Sequence, residues 1–156
     1  MTTGVAFSRP RKRPGASADA GSDNHVMKMR ADRNEGQNAI ARHGPEGVVV
    51  NGVEHTESVV VPWRGEVISW NAESFESLAT EHFARIAALA PELVIFGSGM
   101  RLRFPAPALL RPLIDAGIGV ETMDTAAACR TYNVLLAEGR SVVAGLLFNA
   151  NAAAVR

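Results

Sequence analysis

The chain is short of cysteine, of aromatic residues and of net charge, and each shortage closes a class of function. Its single cysteine, Cys129, has no partner for an intrachain disulfide and cannot complete an all-cysteine zinc site. A lone thiol suits a reducing compartment, so a cytoplasmic location is expected, or a mitochondrial one if the source is eukaryotic. The four histidines show no paired helical spacing, so no metal set is expected. Lys and Arg balance Asp and Glu at 16 each, but unevenly: residues 1–46 carry eight basic against five acidic residues, and residues 47–156 eight against eleven. The C-terminal two thirds is thus mildly acidic, which argues against a nucleic-acid module built on phosphate contacts. No run approaches the roughly eighteen apolar residues of a membrane-spanning helix. The first residues lack the apolar core of a secretory signal.

What is present is the pattern of one α/β domain. At 156 residues there is room for a single core. Residues 1–26, with Arg9-Pro10-Arg11-Lys12-Arg13-Pro14 and then a Gly/Ser/Ala/Asp stretch, offer almost nothing to bury and read as a disordered tail. Residues 27–149 form the expected domain, and 150–156 a short C-terminal tail. Regular structure is expected from about Gly47. Val48-Val49-Val50 followed by Asn51-Gly52 is a strand with a two-residue hairpin turn. Residues 53–61 should return, and Val67–Trp70 is a further short strand. With so few aromatics, Trp63 and Trp70 read as core, closing one end of it.

Thr80, followed by Glu81 in the first turn, reads as a helix N-cap, and Phe83, Ile86, Ala87 and Leu89 give one apolar face before Pro91. Leu93–Phe96 is a continuous apolar run, as in a strand buried on both faces. Gly97-Ser98-Gly99 breaks it. Pro105 and Pro107 open a second helix, with Leu109, Leu110, Leu113 and Ile114 inward, closed by Gly117. Ile118–Met123 is a strand, Asp124 or Thr125 caps a long helix to about Glu138, Gly139 stops it, and Val142–Phe148 is the last strand. The predicted architecture is a three-layer α/β domain with a mixed central sheet, an N-terminal hairpin followed by β-α-β-α-β-α-β.

In such sheets ligands sit beyond the carboxyl ends of parallel strands. Two ends can be named, Gly97-Ser98-Gly99 and Asp124-Thr125, with Arg101 and Arg103 close by. Gly-Ser-Gly is neither a dinucleotide fingerprint nor a P-loop, so no cofactor is expected. Cys129 lies one turn into the following helix, with Asn133 a turn further on the same face. A helix N-terminus lowers a thiol pKa, yet no histidine is visibly paired with Cys129, and a cysteine among alanines is more often core. The candidate binding edge is therefore Gly97, Ser98, Gly99, Asp124, Thr125, Cys129 and Asn133, with no catalytic set assigned.

These residues also carry a resemblance. Val49-Val50-Asn51-Gly52, Trp70, Glu92–Gly99, Gly119–Thr125, Ala128-Cys129-Arg130-Thr131-Tyr132-Asn133 and Glu138-Gly139-Arg140 resemble, in order and spacing, the adipogenesis-associated domain family of initially unknown function. That family includes the mitochondrial NADH dehydrogenase (complex I) assembly factor three and many short bacterial proteins. Its usual Gly-Thr-Gly is Gly97-Ser98-Gly99 here. The resemblance implies a three-layer α/β fold, no established enzymatic activity, and, for the mitochondrial relative, a chaperone-like part in building complex I through protein contacts. The expectation is a non-enzymatic interaction or assembly protein whose unidentified protein partner would come from the respiratory complex. The alternative is a small-molecule or anion binder, or an enzyme, using the strand-end edge.

Overall fold

The computed structural model describes residues 36–148; the expected tails at 1–26 and 150–156 lie outside them. Among these residues eight strands and three α-helices follow in chain order. The first three strands, β1 (Ile40–Gly44), β2 (Gly47–Val50) and β3 (Val53–His55), form a small antiparallel sheet. The hairpin between β2 and β3 has the predicted two-residue turn: Val50 pairs with Val53, and Asn51 and Gly52 both take positive φ, 51° and 82°. Asn and Gly tolerate that conformation, and its twist matches that of the flanking strands. At Gly47 a side chain would collide with the His55 carbonyl, so glycine lets β2 and β3 pack closely.

The remaining strands are β4 (Val59–Pro62), β5 (Ile68–Ser69), β6 (Leu93–Gly97), β7 (Gly119–Met123) and β8 (Val142–Leu146), and they form the central sheet in the order β5-β4-β8-β6-β7. β6 runs parallel to both β7 and β8, whereas β4 is antiparallel to β8 and β5. The sheet is therefore mixed, as predicted. The helices are α1 (Thr80–Ala87), α2 (Arg111–Asp115) and α3 (Thr125–Ala137).

Alternation along the central strands sorts the two cores. Val59, Val61, Ile95, Val142, Ala144 and Leu146 face one way, packing on Ala128, Cys129, Tyr132 and Leu136 of α3 and on Ile40, Val48 and Val50 of the small sheet. Val60, Val94, Phe96 and Val143 face the other, packing on Phe83 and Ile86 of α1, Leu113 of α2, and Trp70. Period-two alternation in a sheet covered on both faces gives this arrangement. Both tryptophans pack on this second core, Trp70 wholly buried and Trp63 partly so.

The structure corrects several boundaries. β1 begins before Gly47; of its five residues only Ile40 is buried, so it carries almost no hydrophobic alternation to read. The single return predicted over 53–61 is two strands, β3 and β4, in different sheets. The residue flanking α1 is Ala79, not Thr80, and the His82 ring supplies the cap: Nδ1 accepts the Ala79 N–H at 2.9 Å. The helix predicted from Pro105 is broken into a 3-10 turn at Pro107–Leu110 and the short α2, because Pro112 has no N–H to continue the ladder. Ile114, predicted inward, is 54% exposed. Among the described residues no helix is long and apolar enough to cross a membrane.

At the amino end of β6 and β8, Glu92 fastens the two strands. Its Oε2 accepts from Arg140 Nε and Nη2, each at 2.8 Å, and its N–H donates to the Ser141 carbonyl at 2.9 Å. The hydrogen bond from Arg140, joined by the Ser141 backbone, holds the Glu92 carboxyl below its ordinary 4.5. A carboxyl lowered in the folded state stabilises the fold above that value and loses the contribution as pH falls through the folded-state pKa. Glu92→Gln is thus expected to melt below the parent at neutral pH, with the gap closing as pH drops below 4.5; a gap independent of pH would show that the carboxylate charge plays no part.

Candidate functional site

The parallel register puts the carboxyl ends of three strands on one edge: Gly97 aligns with Met123 on β7 and with Leu146 on β8. Leaving that edge are Ser98-Gly99, Asp124-Thr125 and Leu147-Phe148. Thr125 binds them together. Its Oγ1 accepts the Gly99 N–H at 2.8 Å and donates to the Leu147 carbonyl at 2.6 Å, while its own N–H donates to the Gly99 carbonyl at 2.9 Å. Gly97 is what lets Thr125 approach: a side-chain carbon there would lie 3.0 Å from both Thr125 Cα and Oγ1. Asp124 caps α3, its Oδ1 accepting the Ala127 N–H at 2.9 Å.

Ser98 is 2% exposed and its hydroxyl is committed. Oγ donates to the Arg101 carbonyl at 2.7 Å, with the Met123 carbonyl at 3.2 Å, and accepts the Arg103 N–H at 3.0 Å. It therefore fixes the loop after β6. Arg103, named from sequence beside the strand ends, is already engaged: Nη1 meets Glu76 Oε2 at 2.8 Å and the guanidinium lies 4.3 Å from the centre of the Phe75 ring.

Two of the seven predicted edge residues lie away from it. Cys129 is wholly buried against the sheet. Burial pushes its thiol up to about 12, the opposite of an activated thiolate. Asn133 grips a strand backbone: its Oδ1 accepts the Ile40 N–H at 2.9 Å and its Nδ2 donates to the Ile40 carbonyl at 2.8 Å. The side-chain amide thus acts as a strand partner for β1. Native protein at pH 8 is expected to resist thiol reagents, with one thiol per chain reacting once denaturant is added; fast labelling of the folded protein would show that α3 opens readily.

What the edge does present is a groove of about 310 Å³, mostly apolar, lined by His43, Gly44 and Pro45 from the β1–β2 turn and by Gly99, Asp124, Ala126 and Phe148 among others. A second, polar hollow of about 220 Å³ lies on the other side of the same loop, between Ser74–Glu76 and Ser98–Arg103. Sequence reasoning reached Gly99, Asp124 and Thr125 but missed the His43–Pro45 wall. Only the Gly44-Pro45-Glu46-Gly47 turn signal marked that segment, and nothing in it showed that the turn folds over the strand ends. No cluster of His, Cys, Asp and Glu suited to a metal occurs among the described residues.

Comparison with known proteins agrees with this architecture. Residues 40–147 match the family model described as protein of unknown function (DUF498/DUF598). NADH dehydrogenase [ubiquinone] 1 alpha subcomplex assembly factor 3 from Bos taurus is 35% identical over 111 residues, covering 69% of this chain and 59% of the bovine protein. This chain thus spans less than two thirds of that relative. A crystal structure of a Bordetella parapertussis protein superposes with a TM-score of 0.68 at 38% identity, covering 71% of this chain and 95% of that one. A solution structure from Bordetella pertussis, described as an Mth938-like domain, gives 0.65 at 32% identity, covering 72% and 86%.

Proposed function

We propose that this chain, which belongs to the DUF498/DUF598 family of proteins of unknown function, is a non-enzymatic assembly factor that holds a subunit of a respiratory NADH dehydrogenase while the complex is built. The observation that carries the reading is its 35% identity over 111 residues to a protein named as an assembly factor for that complex. The strand-end edge supports it. Ser98 and Thr125 spend their hydroxyls on internal bonds, and Cys129 is a neutral core thiol. The apolar groove beside Gly99, Asp124 and Thr125 offers a concave surface that a partner's side chains can fill. On this reading the protein works in the cytoplasm, or inside the mitochondrion in a eukaryote, and needs no cofactor.

The test is genetic. Deleting the gene in its native host should lower assembled NADH dehydrogenase on native gels several-fold, and the wild-type gene should restore it. Ala126→Arg, which places a long cation at an exposed position on the groove wall, should fold normally yet fail to restore assembly. Unchanged complex levels in the deletion strain would overturn the assembly role. Full restoration by Ala126→Arg would remove the groove from it.

A further inference from the structure

Six large apolar side chains stand out in solvent among the described residues, and four of them fall between positions 100 and 114: Met100 at 61%, Leu102 at 52%, Phe104 at 70% and Ile114 at 54% exposure. The charge of the same stretch is unlike the rest of the domain. From Leu93 to Ile114 there is no acidic residue, but there are three arginines, Arg101, Arg103 and Arg111, in a region 47–156 that is acidic overall. Met100-Arg101-Leu102-Arg103-Phe104 alternates apolar and cationic residues.

The segment is held out, not loosely hung. Ser98 Oγ bonds both the Arg101 carbonyl and the Arg103 N–H, the Arg103 side chain is pinned by Glu76 and Phe75, and Pro105 is buried just beyond. Two exposed apolar side chains, Leu102 and Phe104, are thereby presented on a braced tip and line neither of the two hollows at this edge. Arg101 beside them makes no ion pair among the described residues. A braced projection suits a soft apolar phase better than a shaped protein pocket, and Arg101, which no carboxylate among the described residues pairs while Glu76 neutralises Arg103, suits an anionic one. Amphipathic segments that rest in the membrane interface combine these two features.

We infer that the loop Met100–Phe104 is a membrane-contacting tip that dips Leu102 and Phe104 into the surface of an anionic bilayer, with Arg101 at the lipid phosphates. The inference is independent of the assembly role, although an assembly factor for a membrane complex would gain from being held at the bilayer. The full-length protein is floated with vesicles of phosphatidylcholine alone and of phosphatidylcholine mixed with phosphatidylglycerol. Wild type should partition onto the mixed vesicles, less so as salt is raised. Leu102→Ser with Phe104→Ser should weaken partitioning at least about tenfold, and Arg101→Glu about fivefold. All three side chains are exposed, so the variants should keep the parent's melting temperature and circular dichroism. Failure of wild type to float would overturn the proposal. So would equal flotation of the double variant, since the basic residues 9–13 would then carry the binding. A double variant that floats like wild type but fails to restore NADH dehydrogenase assembly would mark the tip as a protein contact, leaving the assembly role standing.

Discussion

Trp70→Ala is expected to lower the unfolding free energy by about 3 to 5 kcal/mol, a large share of the roughly 5 to 15 kcal/mol that holds a small domain together. Trp70 is wholly buried and meets three rings edge-on: Phe83 at 5.6 Å, Phe96 at 6.0 Å and His82 at 6.0 Å between centroids. Its indole N–H donates to the His82 carbonyl at 2.9 Å. The sheet beneath it cannot close the hole. Position 145 is glycine because a side-chain carbon there would sit 3.0 Å from the indole, so at that position no side chain stands ready to collapse into the space. The cavity term therefore adds to the lost burial. A shift in the urea midpoint at unchanged slope is the measurement. Trp70→Phe should cost less, keeping ring packing but stranding the His82 carbonyl. A loss below about 1 kcal/mol for Trp70→Ala would mean that the layer relaxes as ordinary surface does.

The second large effect lies on the opposite face. Asn38→Ala should cost about 3 kcal/mol, from three side-chain bonds at roughly 1 kcal/mol each. Asn38 is 3% exposed. Its Nδ2 donates to the Pro62 carbonyl at 2.9 Å and to the Gly65 carbonyl at 2.8 Å, and its Oδ1 accepts from Asn51 Nδ2 at 2.7 Å. The Tyr132 hydroxyl shares its proton between the Asn38 and Pro62 carbonyls at 2.9 and 3.0 Å. Burial raises the Tyr132 pKa, which keeps that hydroxyl a donor. One asparagine thus ties the hairpin turn, the central sheet and α3 together, and removing it leaves buried groups unpaired. Asn51→Ala, breaking one bond of the three, should cost about 1 kcal/mol. A double-mutant cycle with Tyr132→Phe reads whether the network is cooperative; strict additivity would make it a set of separate bonds.

That network also shows where sequence reading stops. The hairpin at Asn51-Gly52, the doubly buried β6, the Asp124 cap and the Gly117 and Gly139 helix stops were all legible, because each is a local signal whose physics acts within a few residues. Asn38 was not, since its partners lie 13 to 27 positions away and an isolated asparagine reads as a turn residue. The same holds for Asn133, placed from its helical spacing at the strand-end edge but in fact clasping Ile40, 93 residues distant in the chain. β1 stayed invisible because its pairing is enforced by that clasp and by β2, with one buried residue of its own. At the site, helix spacing aligned Cys129 with Asn133, but spacing does not say whether the shared face meets solvent or sheet. The alanines around Cys129 were the better guide, since small residues bring a helix down onto its sheet.

The central sheet is fastened at its two ends by different chemistry. At the carboxyl end Thr125 joins the strand exits through a hydroxyl and backbone groups, none of which changes charge across the physiological range. At the amino end Glu92 and Arg140 join β6 to β8 through an exposed carboxylate. Acid acts at the strand exits too, since the Glu76 carboxylate that braces Arg103 is held below its ordinary value by its own backbone N–H and by Arg103. As Glu92 takes up its proton its tie to Arg140 weakens, whereas the Thr125 bonds, which carry no charge, remain. Acidification is therefore expected to spare the uncharged Thr125 junction and to release the Glu92–Arg140 and Glu76–Arg103 ties at the two ends.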